Sequence, residues 1–449
     1  MRKLGAVAIV LPLALTSLAC PTRPGPSDKA DGGLGGSVGQ AGASGVAGNG
    51  GTAGANPGGA SGGTAGAGGA PVPCAANQTS CAGGCANVSN DESNCGGCGH
   101  TCLGGMCTNG TCLPVTLAHL TTTVIPAGLA VNSSTVFTTV PGNSTVPWSL
   151  YGVPKTAVNT SPSPIMTADA GNNITSFLGA SDAFLFAATG YNSPGGSPKT
   201  ILSCNPTNCA STQQSWYTSN AGLNTCDPST QECFLFVPGT GSADVQYAKQ
   251  GTASQSSPQD FSPVLNMALG FPGAAAGYIY AGGLYATSSS SSTYSVLQRM
   301  SQDGTGGVST LANLGLSSQF AINSTPLVTG TRVYVAGSDI NGNTTGLISL
   351  SLPNGVGNST PAYLAGTTIS SNSWLAAWGD DTAIYFANAA SQWVTCPASG
   401  CTGTPAVMAD ASAAVGYLTG DTQAIYWLNA TYSASDGTAT GFSLMRLAR

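Results

Sequence analysis

The chain has 449 residues, enough for two or three domains. Only 6% of them are Asp, Glu, Lys or Arg, against about 25% in ordinary soluble domains, and the formal net charge is −6. No basic surface is there to neutralise phosphates, which excludes nucleic acid as a partner, and two histidines, His100 and His119, leave little for acid–base or metal chemistry.

Residues 1–20, MRKLGAVAIVLPLALTSLAC, place Arg2 and Lys3 before an apolar run that ends in small residues. That is the layout of a secretory signal peptide, too short and too interrupted by Pro12 to be read as a permanent membrane span. Its end resembles a bacterial lipobox, which implies lipidation of Cys20. It departs from that pattern in having Ser17 three places before the cysteine and Leu18 one place late. Ser17 and Ala19 also satisfy the small-x-small cleavage rule, which would leave Cys20 free. Of the 15 cysteines, setting Cys20 aside leaves local groups of eight, two, two and two. Export and even parity together predict an oxidising compartment and disulfides.

Residues 21–73 read as a disordered linker. Between Asp31 and Ala70, 18 of 40 residues are glycine. Such a segment buries too little apolar surface to offset its ordering entropy, and as a coil it would span roughly 40 Å. Two stretches here, 35–39 and 59–63, match the hydrolase nucleophile elbow formally. Composition alone produces those matches, because the elbow needs a strand before it and a helix after it.

Residues 74–113 form a candidate disulfide-rich module. Cys74, Cys81, Cys85, Cys95, Cys98, Cys102, Cys107 and Cys112 are packed so densely that cross-links must replace a core. Zinc at Cys95, Cys98 and Cys102 with His100 is the competing reading, disfavoured by export. Four bridges allow 105 connectivities, and none is singled out.

The remainder, 115–449, is predicted to be all-β, with strand-like runs between Gly, Asn, Ser and Pro turns. Seven aromatic–aliphatic runs recur after polar turns, beginning at Val136, Phe184, Phe234, Ile279, Val333, Ile384 and Ile425, at steps of 48, 50, 45, 54, 51 and 41 residues. Each copy is long enough for four short strands, the signature of a β-propeller. Seven blades is the reading, and six to eight all suit the repeat length. In copy six the strands are expected at 375–378, 384–388, 392–396 and 405–408; in copy one at 128–131, 136–139 and 149–153. The last copy runs out at 442–447 after three strands. Val115–Leu120 reads as a fourth strand without a copy, so it should complete the final sheet and put His119 on an outer strand. Cys396 and Cys401 would then close the hairpin between third and fourth strands, as would Cys204 and Cys209 in copy two. Cys226 and Cys233 bracket the turn before Phe234.

The NCGGCGHTC core at 94–102, the stretches PAGLAVNSSTVFTT (126–139) and GDTQAIYWLN (420–429), and the CPASGC hairpin resemble exported lipoproteins of Gram-negative soil bacteria. Those proteins join a Gly-rich linker, a cysteine-rich repeat and a β-propeller. The resemblance covers most of the chain and implies architecture, with no catalytic residue to carry over.

Paired carboxylates would be needed for lyase or glycosidase chemistry. Asp182, Asp380, Asp381 and Asp421 fall in corresponding turns, where Asp bonds its own backbone. The stretch Asp339-x-Asn341-x-Asn343 is similar to a calcium loop but has Leu350 where the bidentate Glu belongs. No serine is placed beside His119 by the sequence. Trp378, Trp393 and Trp427 are expected in the core, and Trp148 and Trp216 are the candidates for a binding surface. No cofactor and no metal is implied. The functional expectation is a non-enzymatic binding or scaffold protein at the outer membrane or cell surface, or secreted, with an extracellular protein or glycan ligand. The alternative is a propeller enzyme acting on extracellular polysaccharide.

Overall fold

A computed structural model describes residues 73–82, 84–126, 128–142, 147–168, 178–180, 182, 185–189, 199–219, 223–227, 232–238, 243–248, 259–261, 267–275, 277–286, 293–301, 308–316, 320–322, 327–329, 331–339, 345–352, 364, 377–388, 390–401, 403–433 and 437–449. Cys20, Trp216's side chain and residues 340–344 lie outside that set.

The described residues of 115–449 build seven antiparallel four-stranded sheets in a propeller-like arrangement. Sheet 1 is Leu129–Val131, Thr135–Val140, Trp148–Pro154 and Met166–Ala168. Sheet 2 is Leu178–Ala180, Leu185–Thr189, Lys199–Cys204 and Gln214–Ser219. Sheet 3 is Leu223–Asp227, Glu232–Pro238, Ala243–Ala248 and Gln259–Phe261. Sheet 4 is Met267–Ala275, Tyr278–Ala286, Thr293–Ser301 and Val308–Leu316. Sheet 6 is Ala377–Gly379, Ala383–Ala387, Gln392–Pro397 and Ala406–Asp410.

Six of the aromatic–aliphatic runs, and Leu185 and Phe186 of the seventh, fall in the strand that follows the first turn of a sheet, and Phe184 lies outside the described residues. The physical reason is visible at Ile425-Tyr426-Trp427, in Ala424–Tyr432, where five consecutive residues are buried. A strand with partners on both edges and packed sheets on both faces has no solvent side, so it is apolar without alternation. Sheet 5 departs from the expected plan. Phe320–Ile322 and Leu327–Val328 both pair with Arg332–Asp339, as an interrupted first strand, and Thr345–Ser351 lies on the other side. The Leu364 N–H then donates to the Leu347 carbonyl at 2.5 Å.

Sheet 7 joins the two ends of this region. Ala414–Gly420, Ala424–Tyr432 and Ala439–Ala448 are followed, in space, by Val115–Leu120. Phe442 is the register partner of Leu120 and Arg446 that of Val115. The outer edge of Val115–Leu120 is covered in turn by the connection between the third and fourth strands of sheet 1. There the Asn159 and Thr160 N–H groups donate to the Thr116 and Leu117 carbonyls at 2.9 and 3.0 Å, and the His119 N–H donates to Thr160 at 2.8 Å. An exposed row of unpaired peptide groups is thereby removed.

Buried clusters link the sheets in series. Phe137, Trp148 and Leu150 of sheet 1 pack on Ala180, Leu185 and Cys204 of sheet 2. Leu129 and Val131 pack on Tyr426 and Leu428 of sheet 7. Trp378 and Trp393 of sheet 6 share a core with Leu418 and Trp427 of sheet 7. Tyr334 and Leu347 of sheet 5 meet Ile384 and Phe386 of sheet 6. Tyr280 and Leu297 of sheet 4 meet Val333 and Val335 of sheet 5. The first strands of sheets 3 and 4 adjoin.

The N-terminal module holds two small hairpins, Thr79–Cys81 with Gly84–Ala86 and Cys107–Thr108 with Thr111–Cys112. Four cystines fasten it: Cys74–Cys85, Cys81–Cys98, Cys95–Cys107 and Cys102–Cys112.

Candidate functional site

The turn between first and second strands repeats a local device. Asn132 Oδ1 accepts from the N–H groups of Ser134 and Thr135 at 3.0 and 2.8 Å. Asp380 Oδ1 accepts from Thr382 and Ala383 at 2.8 and 3.0 Å, and Asp421 Oδ1 from Gln423 and Ala424 at 2.7 and 2.9 Å. A short side-chain acceptor one residue past the strand satisfies donors that the tight turn leaves over.

The next position in the turn reaches sideways. Asp182 Oδ1 in sheet 2 accepts the Ser133 N–H of sheet 1 at 2.9 Å. Asp381 Oδ1 in sheet 6 accepts the Thr331 N–H of sheet 5 at 2.9 Å and its hydroxyl at 3.1 Å. The four aspartates that the sequence singled out are therefore divided between two tasks, closing their own turn and tying it to the neighbouring sheet.

Lys155, Arg449 and Arg446 complete this face. Lys155 lies 2.5 Å from Asp421 Oδ2 and donates to the Ser133 carbonyl at 3.2 Å. The Tyr426 hydroxyl donates to the same carboxylate oxygen at 3.1 Å. Arg449 donates to Asp380 Oδ2 at 2.5 Å, the Asp421 carbonyl at 2.7 Å and the Tyr385 hydroxyl at 2.9 Å. Its guanidinium sits over the paired rings of Trp378 and Tyr385, 4.9 and 5.1 Å from their centroids. Arg446 donates to the carbonyls of Lys155 and Leu103.

The electrostatics match this division of tasks. Burial would raise the Asp380 carboxyl, but the Thr382 hydroxyl, the Thr382 and Ala383 N–H groups and Arg449 outweigh it and hold the acid below its ordinary value. Burial, then the adjacent Asp421 charge, pushes the Tyr426 phenol up. Burial pushes Tyr334 up to about 12. Its hydroxyl donates to the Ala398 carbonyl at 2.7 Å, inside the loop closed by Cys396–Cys401. A carboxylate stabilised as the anion and a phenol stabilised as neutral are poor proton carriers near neutral pH.

The cysteines of the sheets act as local staples. Cys396–Cys401 spans the exit from the third strand of sheet 6. Cys204–Cys209 does the same in sheet 2, with Cys209 opening the short helical turn Cys209–Thr212. Cys226 and Cys233 are direct register partners in sheet 3, and their side chains lie outside the described residues. In the N-terminal module the sulfurs of Cys95, Cys102 and Cys112 approach within 4.8 Å of one another. All three belong to cystines, so they offer no thiolate to a metal.

The structure corrects two expectations. Trp148 is fully buried in the sheet 1 core, at 0% exposure, and offers no binding surface. It occupies a position where the third strand faces sheet 2, which its turn-rich surroundings concealed. His119 does have a serine beside it: its Nδ1 lies 3.1 Å from Ser443 Oγ across the strand pair. The partner strand comes from 324 residues away, so no local reading could find it. Lys155, Tyr426, Arg446 and Arg449 were not singled out by the sequence. The signal was the scarcity of charge itself, because each of the 11 Lys and Arg residues in such a chain has to be accounted for.

Architecture and site together define an all-β, propeller-like protein with a cystine-fastened N-terminal module. No protein-family model matches the sequence, and no curated protein sequence does. Solved structures resemble it at low identity. BamB from Moraxella catarrhalis is 12% identical, with a TM-score of 0.41, over 72% of this chain and 86% of that one. The acylaminoacyl peptidase of Pyrococcus horikoshii is 7% identical, with a TM-score of 0.45, over 72% of this chain and 51% of that one. The chain thus spans about half the length of that peptidase. An α-L-arabinofuranosidase from Fusarium graminearum is 10% identical, with a TM-score of 0.36, over 59% of this chain and 89% of that one.

Proposed function

We propose that this is an exported, lipid-anchored, non-enzymatic binding or scaffold protein whose seven sheets form one closed seven-bladed propeller. Residues 1–20 serve as the export signal with Cys20 as the lipidated residue, 21–73 as the spacer, 74–113 as the cystine module and 115–449 as the propeller. The unbroken series of packed sheets, from sheet 2 through 1, 7, 6, 5 and 4 to sheet 3, supports closure. Six cystines among the described residues accord with an oxidising compartment.

One observation carries the non-enzymatic reading. Asp182, Asp380, Asp381 and Asp421 are each engaged by turn donors or by cations of an adjoining sheet. Groups engaged in this way position backbone and leave no pair poised across a substrate. The ligand would be an extracellular protein or glycan bound by surface shape and neutral polar groups.

The test combines mass spectrometry of the mature protein with ligand screening. Acyl chains on Cys20, retention on a glycan array or by a cross-linked envelope protein, and no turnover of a polysaccharide panel are expected. Polysaccharide cleavage that disappears in Asp380→Asn or Asp421→Asn protein, with the fold intact, would overturn the non-enzymatic reading.

A further inference from the structure

Arg446 is 4% exposed, in the third strand of sheet 7. Its guanidinium donates to two main-chain carbonyls from different parts of the chain, Leu103 in the cystine module and Lys155 just past the third strand of sheet 1. Lys155 returns to sheet 7 through its ion pair with Asp421. One buried cation therefore touches the module, the first sheet and the last.

The module is shaped for this contact. Gly104 adopts a left-handed φ of +87°, and a Cβ there would sit 3.6 Å from the Arg446 guanidinium. A Cβ at Gly105 would lie 2.5 Å from the Leu113 carbonyl oxygen and 3.1 Å from Val115. The Gly104-Gly105 pair lets the loop fold down onto the start of Val115–Leu120. Leu103 directly follows Cys102, whose cystine with Cys112 is buried at 1% and 3% exposure. Cys95, Cys102, Cys107 and Cys112 share one core with Ile425, Trp427 and Leu447 of sheet 7.

We propose that the cystine module is the clasp of the seam between sheets 7 and 1: the Cys102–Cys112 cystine fixes the Leu103 carbonyl on Arg446, and closure is complete only once that cystine has formed. Its formation transfers two electrons and two protons from the Cys102 and Cys112 thiols to a disulfide-exchange partner, which leaves as a dithiol. Before that step Val115–Leu120 has its register partners but no fixed point at its start. Arg446 then lacks one of two carbonyl acceptors in a buried site, which opposes its docking.

Hydrogen exchange on the full chain, read by mass spectrometry, tests this. In Cys102→Ser/Cys112→Ser protein the amides of 116–120 and 442–446 should exchange about tenfold faster or more, and those of 345–351 at the wild-type rate. Arg446→Lys, which keeps the charge but cannot fork between two carbonyls, should give the same pattern. A Cys396→Ser/Cys401→Ser control should leave the seam amides unchanged. Wild-type protection of the seam in the Cys102/Cys112 variant overturns the proposal, as does equal acceleration at 345–351. If that variant is recovered unfolded, wild-type seam protection in Arg446→Lys overturns it.

Discussion

Replacing Asp421 by alanine should be among the most damaging single changes on the turn face. The substitution removes the acceptor of the Gln423 and Ala424 N–H groups, of the Tyr426 hydroxyl and of the Lys155 ammonium at once. Ala424 is 0% exposed, so its N–H gains no water in exchange, a cost of about 1–3 kcal/mol. The Lys155 side chain is 13% exposed and loses its counter-ion. Breaking such a pair from one side costs about 3–5 kcal/mol when fully buried, and somewhat less here. The combined expectation is about 3–5 kcal/mol. Asp421→Asn keeps an acceptor for the two turn amides but loses the ion pair and the acceptor of the Tyr426 hydroxyl, at about 1–3 kcal/mol. Lys155→Met leaves Asp421 with three donors and should cost about as much. Urea unfolding with cystines intact, followed by tryptophan fluorescence, gives each value. A double-mutant cycle of Asp421→Ala with Lys155→Met should return a coupling of about 1–2 kcal/mol. Coupling below about 0.3 kcal/mol, or an asparagine variant as unstable as the alanine one, would refute the two-part role assigned to this carboxylate.

Gly420→Ala would place a methyl group 2.8 Å from the Trp378 ring, so thermal unfolding should show a loss of about 1–3 kcal/mol, whereas Gly403→Ala, with nothing within 4 Å, should be silent. Asp380 is held below its ordinary value of 3.8, so its contribution is present in full above that pH and is lost as pH falls below it. Melting temperatures taken from neutral into acid should therefore converge for wild type and Asp380→Asn, and a constant gap down the acid limb would contradict the assignment. Cys396→Ser/Cys401→Ser releases a loop of five-residue separation, at about 2 kcal/mol in urea. Adding Tyr334→Phe should then cost less than in the wild type, since its acceptor Ala398 has already loosened.

Strand positions were legible because they depend on local composition. Copy six, expected at 384–388 and 392–396, is found at Ala383–Ala387 and Gln392–Pro397. The pairing of Val115–Leu120 with the last strand was legible by counting strands, since a sheet left one short and a strand left over answer each other. Sheet 5 was not, because its first strand is broken into two pieces that periodicity cannot join. The turn aspartates were placed correctly in their own turns. Their sideways bonds were invisible, since Ser133 and Asp182, or Thr331 and Asp381, meet only when two sheets stack. Arg446 illustrates the same limit: its two acceptors lie 343 and 291 residues away along the chain.

The strand at 115–120 emerges among the first of this region during synthesis and meets its partner at 442–446 only at the very end. Its other edge meets residues 159 and 160 early, but the edge that faces 442–446 waits, and closing so long a loop is slow relative to pairings made next door. A waiting apolar strand invites adhesion to neighbouring chains. Sheet 7 therefore gains its outermost strand from the start of the region and is finished only when the region's last strand arrives.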